Sequence, residues 1–254
     1  MDERENVESR KSIIYYPDGS KRDGESAVLK EHELTVKIHE QPVLRLICTK
    51  DRLRELVTGR LFTGGIIDGA EDISEIGFDQ SEREAAVLLR EDMNPELNLL
   101  REEKSFRTGN DSFRSFKKRR ELKKITISSY EPEWIFNLAE SFAGSGGLHA
   151  KTQGTHSCLL ARRDEILFSC EDIGRHNTVD KAVGYALLNK LSLKDCMLYT
   201  SGRVPTDMVE KVIASGIPVV VSKSVPTADS ISMAEEYGLT LICRAHRDSF
   251  EVMT

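Results

Sequence analysis

The sequence predicts an α/β protein in which a smaller α+β domain precedes a larger domain built on a parallel sheet. Three observations lead to this prediction. Apolar and polar residues alternate between positions 34 and 89, a basic segment follows at 101–124, and strands then alternate with helices up to the C-terminus. Helical crossovers between consecutive strands imply parallel pairing and helices on both faces of the sheet, which is a three-layer arrangement.

The N-terminal part is predicted to be an arm followed by four strands and one helix. Residues 1–24 are polar and end in Pro-Asp-Gly-Ser, which favours a flexible arm. The α+β domain at 25–100 contains a helix that Asp51 is expected to cap and that ends at Gly64-Gly65. Period-two patterns predict strands at 34–38, 43–47, 73–78 and 85–89.

The larger domain is assigned to residues 125–254. Pro132 suits the first turn of a helix whose apolar face carries Ile135 and Leu138. Two strands and a second helix follow, and then a β-α-β-α-β run. The predicted strands are 156–161, 165–170, 196–200, 217–222 and 239–243, and the helices of the final run are 206–215 and 227–237.

The composition narrows the class of protein. The chain has 39% hydrophobic and 31% charged residues, as soluble globular proteins do. No apolar run approaches the ~18 residues that a membrane span needs. The net charge of −6 argues against general nucleic-acid binding. Because residues 1–5 are too polar for a signal peptide, we expect a cytoplasmic protein.

Cations follow all three strands of the final β-α-β-α-β run. Arg203 follows the first strand, Lys223 the second and Arg244 the third. Parallel strands end at one edge of a sheet, where helix N-termini at Thr206 and Thr227 add free N–H groups. The pattern predicts a site for a diphosphate or dinucleotide at this edge. The alternative is that surface cations follow these strands by chance.

Two further segments each allow a functional and a structural interpretation. His176, near Asp172 or Asp180, could be an oriented acid–base group, while Asn177 with Asp180 could simply cap a helix start. The glycine-rich turn before His149 could let the backbone approach a ligand, or it could be a plain turn before a core histidine.

Several of these segments together resemble one family. Gly-Gly-Leu-His-Ala at 146–150, Glu-Asp-Ile-Gly-Arg-His-Asn at 171–177, Asp180-Lys181 and Ser-Gly-Arg at 201–203 are similar to the signature blocks of the formate dehydrogenase accessory protein family (FdhD/NarQ). The C-terminal stretch from Gly238 and the N-terminal residues Glu31, 53–59 and 65–67 fit as well, so the likeness spans about 28–254.

The resemblance implies a fold, a cofactor and partners. The fold would be a cytidine-deaminase-like three-layer domain plus the smaller N-terminal domain. The cofactor would be bis-molybdopterin guanine dinucleotide, of which GDP is a mimic. The partners would be formate dehydrogenase and a cysteine desulfurase, and a homodimer is also considered. Zinc is not expected, because Lys151 stands where the deaminase motif has its glutamate and no Cys-x-x-Cys exists.

The resemblance also implies cofactor-binding residues. The family's cofactor-binding segment maps onto six consecutive positions near the C-terminus, and the signature blocks add five more. The implied residues are Arg244, Ala245, His246, Arg247, Asp248 and Ser249, with Gly147, His149, Asp172, Arg175 and His176.

The family's sulfur chemistry has no evident carrier in this sequence. The five cysteines are widely scattered, and the segment at 107–117, which matches the family's Cys-x-x-Cys loop, contains none. Cys243 is the candidate we single out, since adjacent Arg244 favours a thiolate, whereas Glu171 and Asp172 disfavour one at Cys170. Three hypotheses stay open: a sulfurtransferase-type maturation factor, a non-catalytic binder of the guanine dinucleotide cofactor or of the dehydrogenase, and a hydrolase using His176 with Asp172.

Overall fold

A computed structural model of the chain describes residues 6–93, 122–126, 129–144 and 147–254. The predicted basic linker at 101–124 lies almost entirely outside the described residues, as does the stretch 107–117. None of the helices in the described ranges is long and apolar enough to cross a membrane.

The described part of the chain opens with a hairpin, which corrects the predicted arm. Strands β1 (Val7–Tyr15) and β2 (Lys21–Leu29) pair antiparallel, so the boundary at residue 24 falls inside a strand. The strands were missed because both faces of this hairpin are largely solvent-exposed, and they therefore lack the apolar alternation that marks a half-buried strand.

The predicted strands of the α+β domain are confirmed. A four-stranded sheet has the order β4-β3-β6-β5, with β3 (His32–Ile38), β4 (Gln41–Cys48), β5 (Ile73–Phe78) and β6 (Glu84–Leu89). Helix α1 (Leu53–Thr63) ends at Gly64 and Gly65, as predicted. Its start differs: Arg52, with φ of 52°, is the N-cap residue and Asp51 does not cap the helix.

The larger domain is a six-stranded sheet of mixed direction, in the order β12-β11-β10-β9-β7-β8. Strands β9, β10 and β11 are parallel as predicted, whereas β7 runs antiparallel to both β8 and β9. The strands are β7 (His156–Arg162), β8 (Glu165–Asp172), β9 (Met197–Thr200), β10 (Val219–Ser222), β11 (Thr240–Cys243) and β12 (Glu251–Val252).

Five further helices lie in the described ranges. Pro132 opens α2, as predicted, and the predicted helix at 206–215 matches α5. Gly216 and Gly238 end the last two helices in the left-handed conformation, with φ of 75° and 73°. The helices are α2 (Pro132–Gly144), α3 (Leu148–Thr152), α4 (Arg175–Leu188), α5 (Thr206–Ser215) and α6 (Ala228–Tyr237), and short 3₁₀ turns occur at Ala70–Asp72 and Leu193–Asp195.

Both faces of the six-stranded sheet are packed. In β9, Met197 and Tyr199 pack on the side of α2, whereas Leu198 packs into a cluster with residues of α4 and α5. This alternation follows from the period of two along a strand. The cluster that contains Leu198 also includes residues of the four-stranded sheet and of α1. The domains predicted at 25–100 and 125–254 therefore have separate sheets but share one core.

Helices α1 and α4 cross within that shared core at two glycines. A Cβ atom on Gly59 would lie 1.8 Å from the backbone oxygen of Asp180, and one on Gly184 would lie 1.9 Å from that of Glu55. No side chain fits at either position. The close crossing brings α1 and the loop before it against the polar first turns of α4, and so connects both parts of the chain to the region of the predicted site.

Candidate functional site

The cations predicted to share a sheet edge lie on three adjacent loops. These loops continue the strand order, because the backbone N–H of Lys223 donates to Thr200 O at 3.0 Å and that of Arg244 donates to Ser224 O at 2.9 Å. The N–H of Val204 likewise donates to Val225 O at 3.1 Å. The loops after β9, β10 and β11 thus form a continuous surface, and the sequence-based placement of this edge is confirmed.

The cations of this edge differ in what they contact. Arg203 and Lys223 are exposed and form no ion pair within the described ranges. Arg244, in contrast, pairs with Glu251 at 2.5 Å, and Arg247 pairs with Glu140 at 2.8 Å. Both of these ion pairs are solvent-exposed, and such pairs stabilise a protein by ~1 kcal/mol at most, so an anionic ligand can displace the carboxylates. Arg203 and Lys223 are the cations already free to bind.

The segment implied to bind the cofactor, 244–249, divides into a buried anchor and an exposed turn. Ala245 is buried, and its oxygen accepts a hydrogen bond from the Tyr199 hydroxyl at 2.8 Å. His246, Asp248 and Ser249 are exposed, and the His246 N–H closes the turn onto Ser249 O at 2.8 Å. Ala245 therefore holds the segment in place, and the exposed turn is the part that can meet a ligand.

Asp172 is fully buried and its carboxylate is engaged on both oxygens. One oxygen accepts from Gly174 N and Asn177 Nδ2, at 2.9 and 2.8 Å. The other accepts from Thr49 N at 3.1 Å and lies 2.8 Å from Lys181 Nζ. This residue joins the loop before α1 to α4, so its predicted role as a ligand contact does not agree with the structure.

Both interpretations of His176 require correction. Its Nε2 lies 3.5 Å from a carboxylate oxygen of Asp207, not of Asp172 or Asp180. Burial and the nearby Lys211 lower the pKa of His176 to about 2, so the ring cannot serve as an acid or a base near neutral pH. The capping alternative is also wrong, because α4 begins at Arg175 and the Asn177 side chain donates to Ile47 O at 2.8 Å. The pairing of His176 with Asp172 on which the hydrolase hypothesis depends is therefore not formed.

A second buried network, which the sequence did not reveal, surrounds Asp180. Its carboxylate accepts from Thr63 Oγ1 at 2.7 Å and from Lys211 Nζ at 2.6 Å, and Arg60 lies at 3.7 Å. Asp180 is 0% exposed. The network connects α1, α4 and α5 by charge as well as by apolar packing.

The glycine-rich turn contacts the carboxylate of Glu171. The carboxylate of Glu171 accepts from His149 N at 3.2 and 3.3 Å, and a Cβ on Gly147 would lie 2.8 Å from it. The His149 ring contacts Thr155 O through Nδ1 at 2.6 Å. The close approach that glycine permits here is to a side chain of the protein itself, and the His149 N–H is already engaged by Glu171.

His156, which no sequence pattern singled out, lies at this edge beside Arg175, which the resemblance implied. His156 begins β7 and is paired in the ladder with Asp172, the last residue of β8. Its Nδ1 lies 3.4 Å from Ser201 Oγ. Arg175 reaches the same loop, since a Cβ on the neighbouring Gly202 would lie 3.0 Å from Arg175 Cβ. The only sequence signal for His156 was its position as the first residue of a predicted strand.

The five cysteines are all buried. Cys48, Cys158 and Cys243 are 0% exposed, and Cys170 and Cys196 are 7% and 2% exposed. Burial raises the pKa of Cys243 to about 12, which outweighs the opposite effect of Arg244. The expectation of a reactive thiolate at Cys243 is therefore wrong. For Cys170 the main cause of the raised pKa is burial, with Asp172 contributing less.

The residues present fit the phosphate end of a nucleotide cofactor. Arg203 and Lys223 would hold the phosphate oxygens, and Arg175 has a buried Nε without a hydrogen-bond partner among the described residues. Helices α5 and α6 begin directly after the loops that carry Arg203 and Lys223, and their first N–H groups add positive potential. Bound phosphate would supply the counter-charge that these cations lack.

Comparison with known proteins gives a consistent result. Residues 29–254 match the model of the FdhD/NarQ family. The sulfur carrier protein FdhD of Bacillus subtilis is 30% identical over 255 residues, covering 98% of this chain and 96% of the relative. The protein of the same name from Halalkalibacterium halodurans is 29% identical over 239 residues, covering 92% and 88%.

A solved structure supports the fold. A protein from Desulfotalea psychrophila, described as a formate dehydrogenase accessory protein, superposes with a TM-score of 0.79 at 23% identity. The match covers 97% of this chain and 96% of that one. The mixed α/β architecture with parallel and antiparallel strands is thereby confirmed.

Proposed function

This chain belongs to the FdhD/NarQ family, and we propose that it is an accessory protein for formate dehydrogenase that binds and delivers the molybdenum cofactor. The ligand in this proposal is bis-molybdopterin guanine dinucleotide, held by its guanine-nucleotide phosphates at the edge formed by the loops after β9, β10 and β11. The client is formate dehydrogenase, and the setting is the cytoplasm.

The observation that carries this proposal is that two neighbouring cations, Arg203 and Lys223, have no ion-pair partner among the described residues. Exposed cations on adjacent loops, beside two helix N-termini, are arranged as dinucleotide sites in parallel sheets are arranged. Neither side chain has an ion-pair partner in the described part of the chain, so binding a diphosphate there breaks no existing pair. The cofactor's chemistry of oxygen-atom and electron transfer belongs to its metal centre, while this chain would bind and orient the nucleotide.

Sulfur transfer is the second candidate, because the relatives are named sulfur carrier proteins. A persulfide carrier needs a thiolate that a donor can reach. Here the sequence has no Cys-x-x-Cys and every cysteine is buried, with exposures between 0 and 7%. The cofactor-binding function is therefore favoured, and a cysteine desulfurase enters as a partner only under the second candidate.

Titration calorimetry with GDP tests the proposal. Wild-type chain is compared with an Arg203→Ala, Lys223→Ala double variant and with a matched control, Lys190→Ala with Lys194→Ala. The control removes two exposed cations that precede β9 and so lie at the opposite sheet edge. We expect the first variant to lose affinity by at least about tenfold, since each charge-assisted hydrogen bond contributes about 1.5–3 kcal/mol, and the control to bind as wild type.

The outcomes separate the two candidates. Absence of GDP binding in the wild type, or equal affinity in both double variants, would remove the support for the cofactor site. Incubation with a cysteine desulfurase and cysteine, followed by mass spectrometry, then tests the second candidate. A mass gain of one sulfur atom on any of the five cysteines would establish a carrier, and unchanged thiols would leave it without one.

A further inference from the structure

We propose that His156, oriented by Ser201 and flanked by Arg175 and Arg203, is a phosphate-binding residue of this edge that strengthens anion binding as the pH falls. The inference deepens the proposed function and rests on it for the identity of the natural ligand. The chemistry of the subsite is that of a phosphate or diphosphate group. His156 would thus be a binding residue in addition to Arg203 and Lys223.

The geometry fixes the position of His156 and the contact of its Nδ1. The residue opens β7 at the edge where β8 and β9 end, and Ser201 follows β9 directly. The Ser157 N–H donates to Ser201 Oγ at 3.0 Å, and His156 Nδ1 lies 3.4 Å from the same oxygen. With Nδ1 held by Ser201, Nε2 is the ring nitrogen that is left to donate to an anion, and the imidazolium is a donor on both nitrogens.

The charges around His156 are mainly positive and come from four elements. Arg175 faces it from α4, His149 from α3 and Arg203 from the loop after β9, and the carboxylate that faces it is Asp172 of β8. Asp172 is already neutralised by Lys181 at 2.8 Å. Glu171, the adjacent carboxylate, accepts from His149 N at 3.2 Å and from Ser157 Oγ at 3.4 Å. Arg175, His149 and Arg203 thus outnumber Asp172 among the charged groups that act on His156.

The direction of the pH dependence follows from these surroundings. Burial, and then Arg175, His149 and Arg203, lower the pKa of His156. A bound phosphate reverses the charge effect and favours the imidazolium, so the pKa rises on binding. By linkage, affinity grows as the pH falls through the interval between the free and bound pKa values.

Calorimetry on the full chain at about pH 7.5 and about pH 5.5 measures this effect, a range that brackets the ordinary histidine pKa. The probes are GDP and inorganic pyrophosphate, and the wild type is compared with His156→Gln at each pH, so that protonation of the probe cancels. We expect the wild type to gain up to about tenfold over the variant at the lower pH, since one unit of pKa corresponds to tenfold. His39→Gln, which removes an exposed histidine in the turn between β3 and β4, serves as the control and should keep the wild-type dependence.

NMR titration of the His156 ring in the wild type provides a readout that needs no variant. The pKa of the ring should rise by about one unit with saturating pyrophosphate. Ser201→Ala keeps the imidazole but removes its orienting hydroxyl, and should show a smaller rise. An unchanged ring pKa overturns the inference whether or not His156→Gln folds.

The results also distinguish this inference from the proposed function. If GDP binds with the same pH dependence in the wild type and in His156→Gln, the inference fails while the cofactor site stands. If GDP does not bind but pyrophosphate binds in a His156-dependent way, the nucleotide function fails and the anion subsite stands.

Discussion

Two consecutive residues, Asp180 and Lys181, hold the two parts of the chain together through opposite charges. Asp180 meets Lys211 and Arg60, whereas Lys181 contacts Thr49 at 2.8 Å and Asp51 at 3.0 Å. Both side chains are fully buried. Removing one partner of such a network leaves an unpaired buried charge, which costs more than the pair itself contributes.

Asp180→Asn should therefore destabilise the fold strongly. The change leaves Lys211 and Arg60 without their carboxylate, and we expect the free energy of unfolding to fall by about 3–5 kcal/mol. Urea denaturation of the purified variant measures it. Asp195→Asn, at an exposed position before β9, is the control and should lie within about 0.5 kcal/mol of wild type. A loss under about 1 kcal/mol in Asp180→Asn would show that the network carries little weight.

His176 should make the protein sensitive to acid. Its pKa is about 2 in the folded chain and 6.5 when unperturbed, so the unfolded chain binds the proton more readily as the pH falls below 6.5. Stability is then lost with decreasing pH. Between about pH 7.5 and about pH 5.5 the wild type should lose about 1 kcal/mol more than His176→Gln, by urea denaturation at both values. Equal losses of stability in the two proteins would contradict the conclusion that the His176 ring is buried and neutral.

At the residue scale, the positions of the exposed cations could be predicted from the sequence, whereas the partners of the buried carboxylates could not. Arg203 and Lys223 could be placed because any residue directly after a parallel strand lies at the same edge. The partners of Asp172 and Asp180 could not, since Thr49 and Thr63 are more than a hundred positions away in the chain. His156 was missed because a lone histidine at a strand start has no pattern of its own.

At the element scale, strands and helices with one buried face were predicted almost to the residue. Strand β5 and helix α5 coincide with the predicted ranges. The hairpin β1–β2 was not predicted, because both of its faces are largely exposed and no apolar periodicity marks it. The cap of α1 was misassigned, since Asp51 instead contacts Lys181 across the α1–α4 crossing.

Gly184→Ala should disrupt the crossing of α1 and α4. Its Cβ would lie 1.9 Å from a backbone oxygen of α1, so one helix has to move within the shared core. We expect a loss of about 3 kcal/mol or more, or failure to fold, measured by thermal and urea denaturation. Gly144→Ala, in a helix and with no atom within 4 Å of its Cβ, should stay within about 1 kcal/mol of wild type. Equal stability of the two variants would rule out a glycine-dependent crossing.

At the scale of the whole molecule, the shared core encloses the thiols on which a sulfur carrier would depend. Cys48, Cys158, Cys170, Cys196 and Cys243 all belong to the apolar cluster that joins the two sheets. An alkylating reagent should therefore modify the native chain at least about a hundredfold more slowly than the urea-unfolded chain, because each thiol requires local opening. Mass spectrometry over time counts the labels, and five are expected after unfolding. Rapid labelling of one native cysteine would identify an accessible thiol and revive the carrier hypothesis.

Both parts of the fold meet at the edge formed by the loops after β9, β10 and β11. Helix α3 contacts β2 of the hairpin and binds Glu171 of β8 through the His149 N–H, and α1 packs against α4 within the shared core. The cations of this edge support the proposed cofactor binding, while the absence of a Cys-x-x-Cys from the sequence disfavours sulfur transfer, the chemistry for which the relatives in the FdhD/NarQ family are named.

A crystal structure of the chain with GDP is the most direct test of the proposed site. We expect phosphate oxygens at about 2.7–3.2 Å from Arg203 and Lys223, on the loops after β9 and β10. Nucleotide bound elsewhere, for instance beside Lys190 and Lys194 at the opposite edge of the sheet, would contradict it.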